Sequence, residues 1–595
     1  MAKKQKKSKA KDLVVPEAPP REPWTWRSLL QWEFGAALAI AIAAACVYTN
    51  LLDAGFLAWD DDYNITKNPY YALGRWQRLW SETYYGMYIP VTSTVWAFLF
   101  KAGEGDAMPF RIFNLVLHGL NVGIVAMLLR GLLQRLRIET KTAWLFGVAV
   151  FAFHPLQVGT VAWISGGRDL LASFFGLLAV LVYFARGQSW KALVPASLLF
   201  VAGLMCKPHI AAFPVALSAF VFFFEREKLW ATVKHMSIWC LLAVGAAMIT
   251  FGTQKKAMEF HLELWERPVV MLDAFGFYIR KTLLPFDLST DYGRKPHKIW
   301  ENTTELTISI ATTLVTLALG TWLAWRNRKY AFAALWFVLL LPVSGIVLFA
   351  FQEISTVADH YNYLPLIIVS GLAALVMHDL SRATSKLFAE AKAGEVTVGA
   401  LVVLFSAVAG WASFDRAETW RSDITFFTEM ARLNDHSYSA MIGLGTNYCA
   451  DPERIGEGYE WIRKAMQERP NEPVSTANAG YCLFKMKRFK EVVKLEENFQ
   501  DPKFVERSLR HDVAVASLLS SIGSAYYVLG NSDRGFLYLC QGHYYNPIEA
   551  TIKHNVDYAK IERRKAGEND QCPPHMALQQ IFATGQNRMP AENTR

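Results

Sequence analysis

The chain has 595 residues, of which 53% are hydrophobic, 14% aromatic and only 19% charged. This composition excludes a protein that is soluble along its whole length, because so much apolar surface cannot all be buried in soluble cores. The formal net charge is +9, and six of the lysines that contribute to it fall among the first twelve residues.

The lysine-rich segment 1–27 is predicted to be a cytoplasmic tail. The apolar stretch that follows, from Leu29 to Leu52, is longer than the core of a secretory signal and carries no convincing cleavage site. We therefore interpret it as a retained membrane anchor with the N-terminus in the cytoplasm.

Apolar runs recur along the chain up to residue 416, and the segment 28–416 is predicted to be a transmembrane domain of about eleven spans. The predicted spans are Leu29–Leu52, Ile112–Leu129, Ala143–Phe153, Leu170–Ala185, Ala192–Met205, Ile210–Phe224, Met236–Phe251, Leu306–Trp325, Phe332–Phe351, Tyr363–Met377 and Val396–Trp411. The shorter runs need flanking residues to reach the roughly 20 residues that cross a bilayer. Because loops rich in Lys and Arg stay in the cytoplasm, the alternate loops and the C-terminal domain are expected outside.

The segment from Pro268 to Phe286 interrupts this alternation. It is apolar enough to suggest a span, but Arg280 and Lys281 lie in its middle. Counting it as a span would place the next basic loop outside the cytoplasm and Asp291 and Tyr292 in the cytoplasm, against the charge pattern of the other loops. We therefore predict an amphipathic helix on the outer face of the membrane.

The first outer loop, 53–109, contains the sequence Trp59-Asp60-Asp61-Asp62-Tyr63 directly after the first span. A charge close to the hydrocarbon region is costly and is expected to face a cavity with a function, which makes Asp60, Asp61 and Asp62 candidates for a catalytic base. The alternative is that all three are solvated and only mark the end of the span. The loop is also rich in aromatic residues, including Tyr88, which suit either a membrane-interface belt or stacking on sugar rings.

Polar residues also stand at the mouths of later predicted spans on the outer side. They are His118, His154, Arg168, Asp169, Lys207, Asp291, Tyr292, Asp359, His360 and Tyr361. Each alone could cap a helix. As a set they provide carboxylates and cations on one side of the membrane, which suits a site that deprotonates a hydroxyl and holds a phosphate.

Residues 417–560 change to a soluble, charged pattern with an internal repeat, followed by a tail at 561–595. The residues Gly445, Tyr448, Gly458, Ala465 and Pro470 recur, with one insertion, as Gly523, Tyr526, Gly535, Gly542 and Pro547. These offsets match the tetratricopeptide repeat, and a degenerate copy runs from about Val474 to Phe499. The predicted fold class is therefore all-α, with a repeat domain that binds proteins or serves as a structural cap.

The seven cysteines divide between the two domains. Cys46, Cys206 and Cys240 lie in or beside predicted spans and are expected to pack as small apolar residues. The remaining four, Cys449, Cys482, Cys540 and Cys572, lie in the outer domain, where an even count permits two disulfides. Of the three pairings, we favour Cys449–Cys482, which lie on the first helices of adjacent repeats.

Several spaced motifs are similar to those of one known family. They are Phe56-Leu57-Ala58-Trp59-Asp60-Asp61-Asp62, Asn68-Pro69, Tyr88-Ile89-Pro90-Val91-Thr92, Phe113-Asn114 to His118, His154-Pro155-Leu156-Gln157, Arg168-Asp169, Lys207-Pro208, Ala358 to Pro365 and Trp420. With these motifs the chain resembles the transmembrane-and-tetratricopeptide (TMTC-like) protein O-mannosyltransferases, a branch of the GT-C glycosyltransferases. The resemblance covers nearly the whole chain except the lysine tail and the last residues.

The resemblance implies an inverting transferase that moves a sugar from a polyprenyl-phosphate donor to a hydroxyl of a protein on the outer face. Asp60 would act as the base, and Asp61 as its partner or as a group that positions the acceptor. Lys207, Arg168 and His360 would bind the donor phosphate. The repeats would recruit the protein acceptor, and membrane lipid but no nucleic acid is expected as a further partner.

Two positions depart from the family pattern. Gly159 stands where relatives carry Glu, and His360 stands where they carry Arg. We expect these changes to alter the donor sugar or the acceptor geometry. The open alternatives are a transferase that modifies a lipid or cell-surface glycan, and an inactive membrane-anchored scaffold. A transporter is disfavoured because the membrane half shows no internal symmetry.

The cofactor and the location are further expectations. Asp60 to Asp62 could hold Mg²⁺ or Mn²⁺, since hard cations favour carboxylates. A donor with a single phosphate can be neutralised by Lys and Arg, so we expect no required metal. The expected location is a bacterial inner membrane with the C-terminal domain in the periplasm, or the equivalent topology in an endoplasmic reticulum.

Overall fold

The computed structural model describes residues 33–254, 262–344, 352, 355–388, 390 and 392–587. The lysine tail predicted at 1–27 lies outside the described residues. The same is true of the first residues of the span predicted at Leu29–Leu52, the last ones of that at Phe332–Phe351, and the end of the tail at 561–595.

The described chain is built from helices, and its only pairing of extended backbone is the isolated Tyr84–Met87 bridge. The helices before the repeat domain are α1 (Glu33–Cys46), α2 (Pro69–Ala72), α3 (Arg78–Ser81), α4 (Pro90–Ala102), α5 (Met108–Arg135), α6 (Ala143–Phe153), α7 (Val158–Val161), α8 (Gly167–Ala185), α9 (Trp190–Leu204), α10 (Phe213–Phe224), α11 (Leu229–Gln254), α12 (Glu266–Leu283), α13 (Thr303–Arg326), α14 (Ala334–Leu340), α15 (Leu366–Leu387) and α16 (Ala393–Ala417). The predicted all-α class is confirmed.

Seven of the described helical segments are long and apolar enough to cross a membrane. They are Met108–Arg135, Ala143–Val161, Ile164–Ala185, Arg226–Thr253, Thr303–Arg326, Leu366–Leu387 and Ala393–Trp420. Three other predicted spans are shorter apolar helices, at Gly35–Leu51, Trp190–Leu204 and Pro208–Phe224. The described part of the span predicted from Phe332 is broken into short pieces around Pro342, which lacks the backbone donor that a continuous helix needs.

The predicted amphipathic helix corresponds to α12, which is not among the seven candidate spans. It packs closely on α13, because Gly276 has no side chain; a Cβ there would lie 1.9 Å from the carbonyl oxygen of Ser309. Arg280 donates to Glu305 on α13 at 2.8 Å. One face of α12 is therefore held against protein, while Leu283 and Leu284 at its end stay exposed.

The first outer loop has a small core of its own. Ile65, Leu79 and Ile89 pack with Trp96 of α4 and Phe110 of α5. This core ties the loop to the helical bundle. The aspartates at the start of the loop therefore have a rigid support.

The repeat domain contains α17 (Asp423–Leu433), α18 (Tyr438–Ala450), α19 (Ile455–Glu468), α20 (Pro473–Lys485), α21 (Phe489–Lys494), α22 (Pro502–Ser508), α23 (Asp512–Val528), α24 (Ser532–Tyr545), α25 (Ala550–Lys565) and α26 (Leu578–Asn587). The predicted glycines lie where paired helices cross. A Cβ on Gly445 would meet Ile462 at 2.5 Å, and one on Gly523 would meet the carbonyl of Gly535 at 2.9 Å. The repeated small residues therefore allow the close helix pairs α18–α19 and α23–α24.

Two disulfides link parts of this domain. Cys449 on α18 pairs with Cys482 on α20, as predicted, and Cys540 on α24 pairs with Cys572 after α25. The other cysteines, Cys46, Cys206 and Cys240, are not in disulfides.

The hydrophobic core continues across residue 416, where the two predicted domains meet. Trp420, Phe426 and Phe427 belong to the same cluster as the membrane helices, whereas the later repeats form separate clusters. The ring of Trp420 lies between those of Trp163 and Phe426, with centroids 6.1 and 4.9 Å away, and both ring pairs are tilted. The centroid of the Phe426 ring lies 6.0 Å from that of Trp59. We call these four rings the aromatic bridge, since they join the membrane domain to the first helix of the repeat domain.

Candidate active site

A cavity of about 340 Å³ opens between the first outer loop and the ends of several membrane helices. Its lining comprises Trp59, Asp60, Met87, Tyr88, Ile89, Trp163, Arg168, Lys207, Pro208, His209, Ala211, Ala247, Thr250, Phe251, Thr290, Pro342, Val343, Ser355, Val357, Ala358, His360 and Tyr361. We call this space the outer cavity. The lining combines charged groups with many apolar side chains.

Asp60 contributes a carboxylate to the outer cavity. Its Oδ2 accepts a hydrogen bond from Arg168 Nη2 at 2.9 Å, and its side chain is 25% exposed. Arg168 is itself held in place, because its guanidinium lies over the ring of Trp163 at 5.1 Å and Nη1 contacts Met87 Sδ at 3.3 Å. An acid and a cation thus face the same space.

The three adjacent aspartates turn in different directions. Asp61 is fully buried, where its Oδ1 accepts from the amide and hydroxyl of Ser165 at 2.9 and 2.6 Å. Burial raises the pKa of Asp61 to about 6, although these hydrogen bonds favour the ionised form. Asp62 pairs with Lys67 at 2.6 Å. Of the three, only Asp60 lines the outer cavity, and the predicted role of Asp61 at the site stays a prediction.

Lys207 faces the outer cavity beside Arg168. Its Nζ donates to both oxygens of Asp169, at 2.6 and 2.8 Å, and lies 5.7 Å from the centre of the Tyr361 ring. Burial lowers the pKa of Lys207, while the charge of Asp169 opposes that effect. Asp169 thus pairs with Lys207 and lies 4.0 Å from Arg168, so that it balances these cations without lining the outer cavity.

His360 also lines the outer cavity, with its ring 5.3 Å from that of Trp163. Burial, followed by the nearby charge of Lys207, lowers its pKa well below the usual value. Both effects favour the neutral imidazole, which can still form a hydrogen bond. The predicted role of His360 in binding the donor phosphate stays a prediction.

Asp359 and Tyr292 lie behind this wall. The hydroxyl of Tyr292 donates to Asp359 at 2.5 Å, and Arg416 Nη2 donates to the other carboxylate oxygen at 3.3 Å. A Cβ added to Gly159 would lie 3.1 Å from the Cβ of Asp359. The side chain of Asp359 thus lies beside Gly159, and this cluster supports the turn that carries His360.

Three other predicted site residues lie away from the outer cavity. His118 is buried in the bundle, with Nδ1 3.0 Å from the Tyr363 hydroxyl and Nε2 3.1 Å from the carbonyl of Ala152. His154 Nε2 lies 2.9 Å from the carbonyl of Thr282. These two histidines contact polar groups of neighbouring segments and do not line the outer cavity, which the sequence could not show because it does not reveal which side of a helix mouth a ring takes.

Asp291 is likewise a structural residue. It accepts hydrogen bonds from the hydroxyl of Ser437 at 2.7 Å and from the amide of Gly293 at 2.9 Å. Because Ser437 caps α18, this contact fastens an outer loop to the repeat domain.

The sequence analysis missed several cavity residues. Thr250 and Phe251 come from the end of α11, and Pro342 and Val343 come from the broken segment after α14. His209 lies two residues after Lys207, in the polar segment between two apolar runs, but the sequence analysis did not assign it a role. The apolar residues carried no such signal, because they look the same as any other residue of a span.

The described part of the chain contains no group of three or more His, Cys, Asp and Glu side chains arranged to hold a metal ion. The divergence of the aspartates accounts for this in the first outer loop, since Asp60, Asp61 and Asp62 have separate partners.

Comparison with known proteins supports the resemblance seen in the motifs. The chain is similar to "Protein O-mannosyl-transferase Tmtc2" of Drosophila melanogaster, with 25% identity over 357 residues. The match covers 51% of this chain and 37% of the relative, so the chain spans well under half of the relative's length in that match. No family model and no solved structure matches. The curated homologue therefore supports a TMTC-like family for this chain.

Proposed function

We propose that this protein is an integral-membrane glycosyltransferase that moves a sugar from a polyprenyl-phosphate donor to a hydroxyl of a protein acceptor on the outer face. The observation that carries the proposal is the Asp60–Arg168 pair in a cavity that also contains Lys207. A base and two cations in one space suit an attack by a hydroxyl on a carbon that bears a phosphate.

The apolar lining of the outer cavity supports a lipid-linked donor. Ala247, Phe251, Pro342 and Val343 line it together with the charged residues. A water-soluble nucleotide sugar has no use for such a wall, whereas the first isoprene units of a polyprenyl phosphate would bury apolar surface against it.

In the proposed reaction, the acceptor oxygen attacks the anomeric carbon while the bond from that carbon to the phosphate oxygen breaks. Asp60 takes the proton of the hydroxyl, and polyprenyl phosphate leaves with the bonding electrons. Arg168 and Lys207 stabilise the charge that develops on the leaving phosphate. Attack from the face opposite the phosphate inverts the anomeric centre.

Arg168 has donors to spare for this task. Its Nη2 contacts Asp60, while Nε makes no hydrogen bond among the described residues and lies 4.0 Å from Asp169. A buried donor without a hydrogen-bond partner is costly, and a phosphate oxygen would satisfy it.

We propose mannose as the first sugar to test, because the curated relative is named as an O-mannosyl-transferase. We also propose that Arg168 and Lys207 replace a metal. Transfer that persists in excess EDTA would support this, and loss of transfer that is restored by Mg²⁺ or Mn²⁺ would refute it.

The repeat domain is proposed to recruit the protein acceptor in the periplasm or its luminal equivalent, with the N-terminus in the cytoplasm. The two disulfides of that domain support an oxidising compartment. The contact between Asp423 at the start of α17 and the amide of Ala58, at 2.7 Å, brings the repeats to within two residues of Asp60.

The decisive experiment is mass spectrometry of outer-face proteins from cells with and without the gene. A hexose that disappears from defined serine or threonine residues in the deletion supports the proposal and identifies sugar and acceptor together. A change confined to lipids or surface glycans would indicate the other acceptor class, and an unchanged glycoproteome and glycolipid profile would support the inactive scaffold.

Lys207→Ala is expected to weaken the binding of polyprenyl-phosphate mannose by roughly 1.5 to 3 kcal/mol, the usual range for a hydrogen bond to a charged group. The apparent affinity can be measured by titrating the donor into the protein in nanodiscs. Acceptor affinity should change much less.

A matched double variant separates phosphate binding from charge balance. Lys207→Ala leaves Asp169 buried without its partner, which could disturb the site by itself. In Lys207→Met with Asp169→Asn, no unpaired charge remains. Donor binding that returns to the wild-type value in the double variant would show that Lys207 serves only to neutralise Asp169.

A further inference from the structure

The rings of Tyr63 and Tyr85 stack face to face in the first outer loop. Their centroids are 4.8 Å apart and their planes differ by 4°. Both side chains are well exposed, at 43% and 42%. Two parallel aromatic rings therefore present a joint apolar surface to the solvent.

Tyr85 occupies its position against its conformational preference. It has φ = 49° and precedes Gly86 with φ = 70°, in a two-residue turn closed by hydrogen bonds of 3.0 Å in both directions between Tyr84 and Met87. Such turns favour Asn or Gly at the first position, because a bulky residue is strained in the left-handed region. Strain of this kind, when it persists, points to a function for the side chain.

The turn is anchored on both sides. The hydroxyl of Thr253 at the end of α11 donates to the carbonyl of Gly86 at 3.0 Å, and Arg168 contacts Met87. The ring of Tyr85 is therefore held at a fixed place relative to the charged residues of the outer cavity.

The stacked pair lies beside the proposed base but outside the cavity. Tyr63 is the third residue after Asp60, and the pKa of Tyr85 is raised by partial burial and then by the negative charge of Asp60. Met87 and Tyr88, which follow the turn, line the outer cavity, whereas Tyr63 and Tyr85 are not among its described lining residues.

Charged groups lie next to the pair. The ammonium of Lys67 lies over the Tyr63 ring, 5.4 Å from its centre, and pairs with Asp62. Two exposed stacked rings with one cation and one acid beside them suit an extended polypeptide, whose aliphatic groups pack on rings and whose amides bond to charged neighbours. A lipid-linked donor has no need of it, since the proposed phosphate ligands and the apolar wall lie inside the cavity.

We propose that the Tyr63–Tyr85 pair is a binding platform for the acceptor polypeptide, and that it holds the chain so that its hydroxyl reaches Asp60. This inference rests on the proposed function. It adds the place at which the acceptor binds next to the reacting atoms, separate from any contact with the repeats.

The test is Tyr85→Asn in the full-length protein in nanodiscs. Asn is favoured in this turn, so the variant should unfold at the same temperature as the wild type or higher. With polyprenyl-phosphate mannose and outer-face proteins from cells lacking the gene as probes, kcat/KM for protein acceptors should fall about tenfold, since a Tyr contact of this kind is worth roughly 1.4 kcal/mol. The Kd for the donor should stay the same.

Three variants serve as controls. Tyr85→Phe keeps the ring and should retain transfer, and Tyr63→Ala should reproduce the loss without touching the turn. Trp80→Asn removes another aromatic of the same loop, 48% exposed, and should leave transfer unchanged.

The outcomes are distinguishable. Wild-type transfer by both Tyr85→Asn and Tyr63→Ala would overturn the platform, and so would an equal loss of donor binding and of transfer. A wild-type protein that binds no donor and incorporates no sugar would instead refute the proposed function.

Discussion

Asp60→Asn should abolish sugar transfer while leaving the protein folded and inserted. The amide has the shape of the carboxylate but cannot accept the acceptor's proton, and loss of a general base typically lowers a rate by about 10²- to 10⁴-fold. The measurement is incorporation of labelled mannose from polyprenyl-phosphate mannose into outer-face proteins.

The same substitution should strengthen donor binding or leave it unchanged. Asp60 is the carboxylate partner of Arg168 Nη2, and its removal frees that guanidinium for the donor phosphate. Retained donor binding without transfer would therefore identify a base. Wild-type transfer by this variant would remove Asp60 from the mechanism.

Asp62→Asn is the matched control. Asp62 pairs with Lys67 on the exposed side of the loop and does not line the outer cavity among the described residues. An exposed pair contributes only about 0 to 1 kcal/mol, so the fold should change little and transfer should fall far less than in Asp60→Asn.

The second large effect concerns the stability of the repeat domain. Glu496 is buried among Tyr526, Arg534 and Tyr538, and accepts hydrogen bonds from them at 2.8, 2.9 and 2.6 Å. Arg534 is only 2% exposed, and its Nε has no hydrogen-bond partner among the described residues. Glu496→Leu leaves this cation buried and uncompensated, and we expect it to lower the free energy of unfolding by about 3–5 kcal/mol.

Replacing Glu496, Arg534 and Tyr538 together should remove most of the penalty. In Glu496→Leu with Arg534→Met and Tyr538→Phe, no buried charge is left unpaired, and hydrophobic substitutes for a buried ion pair are often neutral. Denaturant unfolding of the full-length protein, followed by hydrogen exchange in α23 and α24, measures both variants. A single variant as stable as the wild type would show that the network adds little, and a triple variant as unstable as the single one would locate the loss in packing instead of charge.

The sequence predicted the helices and their pairing better than it predicted which side chains contact each other at the site. The repeat pairs α18–α19 and α23–α24 were found because Gly445 and Gly523 mark helix crossings, and such small residues recur at readable offsets. The Cys449–Cys482 disulfide followed from the same register. Span lengths were less certain, since a helix shorter than the bilayer, such as α9, looks in sequence like any other apolar run.

Side-chain direction was the main limit for the candidate site. Asp60 and Asp61 are adjacent and chemically identical, yet Asp60 lines the outer cavity and Asp61 is buried against Ser165. That difference depends on a residue more than a hundred positions away in the sequence, which local patterns cannot reveal. The assignment of the base itself stays a prediction until the Asp60 variant is measured.

The aromatic bridge has a consequence for biosynthesis. The outer cavity includes Trp59 and Trp163, whose rings pack on Phe426 and Trp420, and Asn50 contacts Glu418 across 368 residues of sequence. At about 5–20 residues per second, the ribosome needs roughly 20 to 70 s to make that stretch. During this time the first outer loop has been synthesised, but Trp420 and Phe426, which pack on Trp163 and Trp59, have not. The nascent protein therefore cannot complete its cavity wall until the start of the repeat domain has been made.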